Sequence, residues 1–185
     1  MNLDSQAFLR LVELAGTIAF YDLEATGLRG DYNSVLCVSV KPFGKRPTTF
    51  SVKHPGDDRA VVVAARDYLT SFDCWVGYYS KGFDFPMLNT RLLHWAEAPL
   101  LKKPHIDMYY TLKANLNTSR RSQAHLLEWL GTPQKKMTVS ADKWNKVLED
   151  PVGNMPTMIK RCESDTAGLE ALYRRTKHLI KEVKC

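Results

Sequence analysis

The stretch IAFYDLEATGL, residues 18–28, constrains this chain more than any other. Four apolar or aromatic residues, Ile18 to Tyr21, run straight into Asp22 and Glu24. Such a run reads as a buried β-strand. Residues two apart on a strand point to the same face, so the two acids project side by side. Adjacent carboxylates repel, and burying them is costly unless something compensates. A divalent cation compensates well. The alternative is a strand that has already ended, with both acids solvated and TGLRG turning away.

The rest of the chain narrows the choice. At 185 residues it is long enough for one domain over 1–185 with a sizeable core. No apolar run approaches the ~20 residues needed to span a bilayer. The opening MNLDSQAFLRLVELAG carries Asp4, Arg10 and Glu13. It therefore reads as a short amphipathic helix, an extension over 1–16, rather than a signal peptide. Cys37, Cys74, Cys162 and Cys185 are scattered without a CxxC pair. That pattern argues against zinc and for free thiols in a reducing, cytoplasmic setting. The five histidines also lack zinc spacing and read as surface or helix residues. A net charge of +6 and a pI of about 9.1 suit a polyanionic partner, although many basic proteins have none.

The first half is strand-rich. TIAFYDLEA, SVLCVSVKPF and PTTFSVKH read as three strands of an antiparallel meander. DDRAVVVAARDYLTSF has helical composition, with Asp57 or Asp58 as its cap. DCWVGYY is a short buried strand, and FDFPMLNTRLLHWAEA is helical, with Pro86 in its first turn. HIDMYYTL starts as a strand. The remainder is helical: SQAHLLEWLG, then SADKWNKVLED behind a Ser cap, then NMPTMIKRCESDTAGLEALYRRTKHLIKEVK as one long helix or two short ones. This order suggests a mixed sheet flanked by helices.

Two further acids stand out. Asp84 follows a buried strand, between Phe83 and Phe85, with Leu88 and Leu92 facing the core behind it. Taken alone it reads as a helix cap. Asp165 lies near the edge of an apolar helix stripe formed by Ile159, Cys162, Leu169 and Leu172. Taken alone it reads as an ordinary helix acid.

Together, Asp22, Glu24, Asp84 and Asp165 resemble the DEDD superfamily of 3′→5′ exonucleases. YDLEATGL looks like its first motif, VGYYSKGFDFPMLNTR its second and RCESDTAGLEAL its third. Order and spacing are similar to the exonuclease domain of family-B DNA polymerases and its stand-alone relatives, over about residues 17–180. The resemblance implies an α/β, ribonuclease-H-like fold. Its central five-stranded mixed sheet would have the first three strands antiparallel and helices on both faces, here with an extra N-terminal helix over 5–14. It also implies two Mg²⁺ or Mn²⁺ ions held by the four acids. One would lower the pKa of the attacking water and the other would stabilise the leaving 3′ oxygen. Thr26, Gly27, Leu28, Tyr79, Phe85 and Arg161 would contact the nucleic acid, with DNA ahead of RNA. No membrane is involved, and any replication or repair partner is unnamed.

The chain departs from that pattern in two places. Relatives carry a Tyr four residues, or a His five residues, before the last Asp. Here those positions are Arg161 and Lys160, and neither can accept a proton at neutral pH. Arg161 would instead contact a phosphate or pair with a carboxylate such as Glu163. Tyr79 also replaces a frequent Asn. The main expectation is a metal-dependent exonuclease. Its rivals are a catalytically weak or inactive nucleic-acid-binding module and a structure-specific endonuclease on the same fold. Asp107 serves as a cap or stands behind the metal ligands, KANLNTSRRSQ is a solvated loop or a phosphate contact, and GTPQKKMTVSADKW is a basic lip or a linker.

Overall fold

The computed structural model describes residues 4–54 and 56–183. Helix α1 (Ser5–Ala15) precedes strands β1 (Ile18–Ala25), β2 (Val35–Pro42) and β3 (Thr48–Ser51). Helix α2 (Arg59–Thr70), β4 (Cys74–Gly77), α3 (Asp84–His94) and β5 (His105–Asp107) follow. The chain then runs through α4 (Met108–Asn115), α5 (Gln123–Trp129), α6 (Ala141–Glu149) and α7 (Pro151–Thr176). The last is one unbroken helix, not two.

The five strands form one mixed sheet in the order β3-β2-β1-β4-β5. β1 is central, antiparallel to β2 and parallel to β4, as the motifs imply. Alternation along β1 explains how both faces are covered. Ala19, Tyr21 and Leu23 join a core with α2 and α3. Ile18 and Phe20 join a second core with α1, α4, α5 and the C-terminal half of α7. Asp22 and Glu24 share the parity of Phe20, so they emerge on the side where α7 lies. The β1–β2 register slips between Glu24 and Ala25, an irregularity of the kind that re-aims side chains at strand ends.

Some expectations need correction. Asp58 precedes α2 but makes no capping hydrogen bond with its side chain. It is fully buried and receives Arg91 Nε at 2.8 Å, Arg91 Nη2 at 2.9 Å, Trp95 Nε1 at 2.7 Å and the Val35 N–H at 2.7 Å. It ties β2, α2 and α3 together. His105 is likewise buried, not a surface residue, and lies near Ser80 Oγ at 2.9 Å and the Tyr21 hydroxyl at 3.2 Å. Burial, with Lys81 nearby, lowers its pKa to about 3, so it stays neutral.

The N-terminal helix clasps the far end of the chain. Tyr173 donates its hydroxyl to Glu13 at 2.7 Å, and Lys177 pairs with Glu13 at 2.6 Å. Gln6 donates to the carbonyls of Lys177 and Ile180 at 3.2 and 2.9 Å.

Candidate active site

β4 pairs with β1 only as far as Phe20. Beyond that point the two parallel strands part, which leaves a crevice at their C-terminal ends. Ligands in open α/β sheets bind in such crevices. The parted strand also leaves backbone donors to be satisfied. The Leu23 N–H finds its acceptor in Asp84 Oδ1 at 3.1 Å, at the first residue of α3. Asp84 is thus held against β1 by a bond to the same strand that carries Asp22 and Glu24.

Asp165 approaches from α7. Ligand oxygens of Asp22, Glu24 and Asp165 all lie within 4.8 Å of one another. The Cys162 thiol, one helical turn before Asp165, donates to the Asp22 carbonyl at 3.2 Å and locks α7 against the strand. All four acids line one cleft of about 330 Å³.

This cleft strains its own charges. Burial, reinforced by Asp84, Asp165 and Glu24, holds the Asp22 carboxyl well above the carboxylate range. Burial lifts Glu24 to about 7 against the pull of Arg161. Burial also lifts Asp84 to about 7, although the Leu23 N–H opposes it. Asp165 is raised by burial and restrained by Lys136. One of its oxygens, Oδ1, is buried without any hydrogen-bond partner. Clustered hard oxygens, an orphaned carboxylate atom and excess negative charge together fit a divalent cation. Asp22, Glu24 and Asp165 are the residues that can hold it, with Asp84 beside them.

Two of the chain's own cations enter the cleft. Lys136 Nζ lies 2.8 Å from Asp165 Oδ2. Burial works against its ammonium, but Asp165 and Asp22 raise its pKa, so it remains charged. Arg161 Nε lies 2.6 Å from Glu24 Oε1, off the alignment of a hydrogen bond, with its guanidinium 5.5 Å from the Trp144 ring centroid. Its partner is therefore Glu24 and not Glu163, which instead accepts from Thr49 Oγ1 at 2.9 Å. Lys136 lies in the segment that the sequence left between basic lip and linker. Only its doubled Lys135–Lys136 charge hinted at a role.

The other expected residues separate. Leu28 lines the cleft and is 80% exposed. Tyr79 lines it too, at a left-handed φ of 60°. Asp107 secures that conformation by accepting the Tyr79 and Lys81 N–H groups, both at 2.9 Å. Asp107 also caps α4 through Tyr109 N at 3.0 Å, and its charge helps raise the Asp84 pKa. Gly82 lies under the Tyr79 ring, where a Cβ would come within 2.7 Å of it. Thr26 and Gly27 shape the loop: the Thr26 hydroxyl accepts the Ser34 N–H at 3.0 Å, and a Cβ at 27 would lie 2.5 Å from Asn33 Oδ1. Phe85 turns away from the acids and packs near Trp75 and His105, at ring-centroid distances of 6.3 and 6.1 Å.

A family model described as RNase H superfamily matches residues 19–176. The chain belongs to the RNase H superfamily. Among solved structures, this RNase H-superfamily chain is similar to the family B DNA polymerase from the hyperthermophilic archaeon Pyrobaculum calidifontis, with a TM-score of 0.71 at 19% identity. The match covers 86% of this chain and 24% of the polymerase chain. At that identity the likeness is one of fold, and the fold is of a nuclease type. No curated protein matches the chain in sequence. Among the described residues, no helix is long and apolar enough to cross a membrane.

Proposed function

We propose that the protein is a metal-dependent 3′→5′ exonuclease that hydrolyses phosphodiester bonds of DNA or RNA. The observation that carries this reading is the convergence of Asp22, Glu24 and Asp165 within 4.8 Å of one another, with one Asp165 oxygen buried and unpartnered. The 3′→5′ polarity rests on the resemblance of the three motifs. The buried free thiols of Cys37, Cys74 and Cys162 are compatible with a reducing cytoplasm.

The hard oxygen donors suit two Mg²⁺ or Mn²⁺ ions, which when bound neutralise phosphate charge and acidify water. Asp22, Glu24 and Asp165 hold that cationic charge at the end of β1, and Asp84 supports it from the α3 side. Lys136 and Arg161 set positive charge where a phosphodiester would enter. Leu28 and Tyr79 give the cleft an exposed apolar rim for the nucleotide. Arg161 is permanently protonated and takes no proton from water. Tyr78 is no substitute base, because burial raises its pKa and its hydroxyl donates to the Arg121 carbonyl.

A second reading has one observation in its favour. Lys136 and Arg161 already neutralise part of the acid cluster, as a binding module without catalysis would require. One assay separates the two readings. Single-stranded and duplex DNA and RNA, end-labelled, are incubated with Mg²⁺, Mn²⁺ or EDTA. An exonuclease shortens them from the 3′ end in a metal-dependent way, and Asp22→Ala abolishes this. An endonuclease leaves internal fragments. Tight binding without cleavage of any substrate under any metal condition leaves the binding module.

A further inference from the structure

A second cavity lies away from the acids. It has a volume of about 680 Å³ and lies farther along α7, against the turn after β2 and the segment after α5. Lys41, Arg174 and Arg175 line it against a single acid, Glu170. Three cations and one anion leave a surplus of two positive charges.

Glu170 organises this surplus. It is buried and pairs with the Lys41 ammonium, while Oε1 accepts the Gly44 N–H at 3.1 Å and Arg174 Nε at 2.8 Å. Burial pushes its carboxyl up, but Lys41 and Arg174 hold it below its usual range, so it is ionised. The Arg174 guanidinium also lies 4.0 Å from the Phe43 ring centroid, with its side chain still 51% exposed. A carboxylate on one side and a ring on the other fix its orientation. Arg175 makes no ion pair among the described residues. Leu130, Pro133 and Ala171 supply an apolar floor. A fixed guanidinium and an ammonium above an apolar floor suit a phosphate ester.

Asp165 and Arg174 are nine residues apart on one helix, roughly 13.5 Å at 1.5 Å per residue. About two and a half turns place them on opposite sides of α7, but one segment joins the two sites, with Pro133 and Gln134 at the cavity and Lys136 in the acid cleft, so a strand with its end at the acids would reach the cavity by crossing the helix along that segment. We propose that this cavity is a phosphate-ester subsite, filled by nucleic-acid backbone remote from the bond being cut. The proposal rests on the nuclease reading above. A free mononucleotide, the product of that reaction, carries the same chemistry and is the other source.

The test measures the binding of a labelled mononucleotide and of phosphorothioate single strands of two and ten nucleotides across a salt series, by fluorescence anisotropy in Mg²⁺. For the ten-mer, the double variant Arg174→Ala/Arg175→Ala should lower the slope of log K against log salt by about 1.4, near 0.7 per lost contact. The dinucleotide, confined to the acids, should keep its slope. Arg174→Lys, which keeps the charge, should retain most of the ten-mer slope. Loss of mononucleotide binding with the ten-mer unchanged would support the subsite and assign it to the product. Unchanged slopes and unchanged mononucleotide binding in a double variant that melts like wild type would overturn it. So would an equal loss in Arg174→Lys and Arg174→Ala, which would mark a brace for the fold. Wild type that cuts nothing yet shows the slope difference would sink the nuclease reading and leave the subsite standing.

Discussion

At the residue scale, Asp165 gives one oxygen to Lys136 and leaves the other bare. An ammonium and a divalent ion compete for the same carboxylates. Lys136→Met should therefore tighten Mn²⁺ binding roughly tenfold, given what one charge-assisted hydrogen bond is worth. Calorimetric titration of the two proteins checks this, and weaker binding in the variant would show that Lys136 helps the ion. Arg161 acts differently, because it restrains Glu24. Arg161→Ala should raise KM by roughly tenfold or more as a phosphate contact is lost. It should also move the Glu24 titration above about 7, which carboxylate NMR can follow. The sequence located Arg161 near the acids through its spacing from Asp165. It offered Glu163 only as one example of a carboxylate partner, and the pair forms with Glu24 instead because Glu163, two residues on, points to a different side of the helix.

At the element scale, the Asp58 network is the clearest case of what a linear reading misses. An Asp before a helix looks like a cap, and removing a cap costs about 1 kcal/mol. Here the carboxylate is buried against Arg91, 33 positions away, and accepts from β2 and Trp95 as well. Asp58→Ala should destabilise by about 3–5 kcal/mol, because Arg91 is left buried and unpaired. Urea unfolding measures it, and a loss near 1 kcal/mol would restore the capping role. Local signals carried the elements themselves. Apolar runs gave β1 and β4, alternation gave β2, helical composition gave α2, amphipathic patterning gave α1 and α7, and a Ser cap gave α6. Asp22 and Glu24 declared themselves by following an apolar run at strand spacing, and Asp84 by standing at the start of a helix. Pairings across long sequence separations, Asp58 with Arg91 and Asp165 with Lys136, left no local trace.

At the scale of the whole molecule, the acid cluster links folding to pH and to cations. Glu24 and Asp84 titrate near 7 in the fold but near 4.5 and 3.8 in an open chain. Groups raised in this way favour the fold below their unfolded pKa, and that contribution disappears as pH rises through the folded value. In EDTA, Tm should therefore fall by several degrees between about pH 5 and pH 8. Mn²⁺ added at the upper end should restore it, and Asp22→Asn should flatten the profile. A Tm that climbs over the same interval without metal would contradict the burial of these acids. The clasp made by α1 has a topological consequence. Gln6 and Ile180 are in hydrogen-bond contact, so the first and last described helical segments adjoin. Between Gln6 and Ile180 the path therefore returns to where it set out. A stretch whose two sides adjoin in this way can be carried within a loop of a longer polypeptide without prising that loop apart.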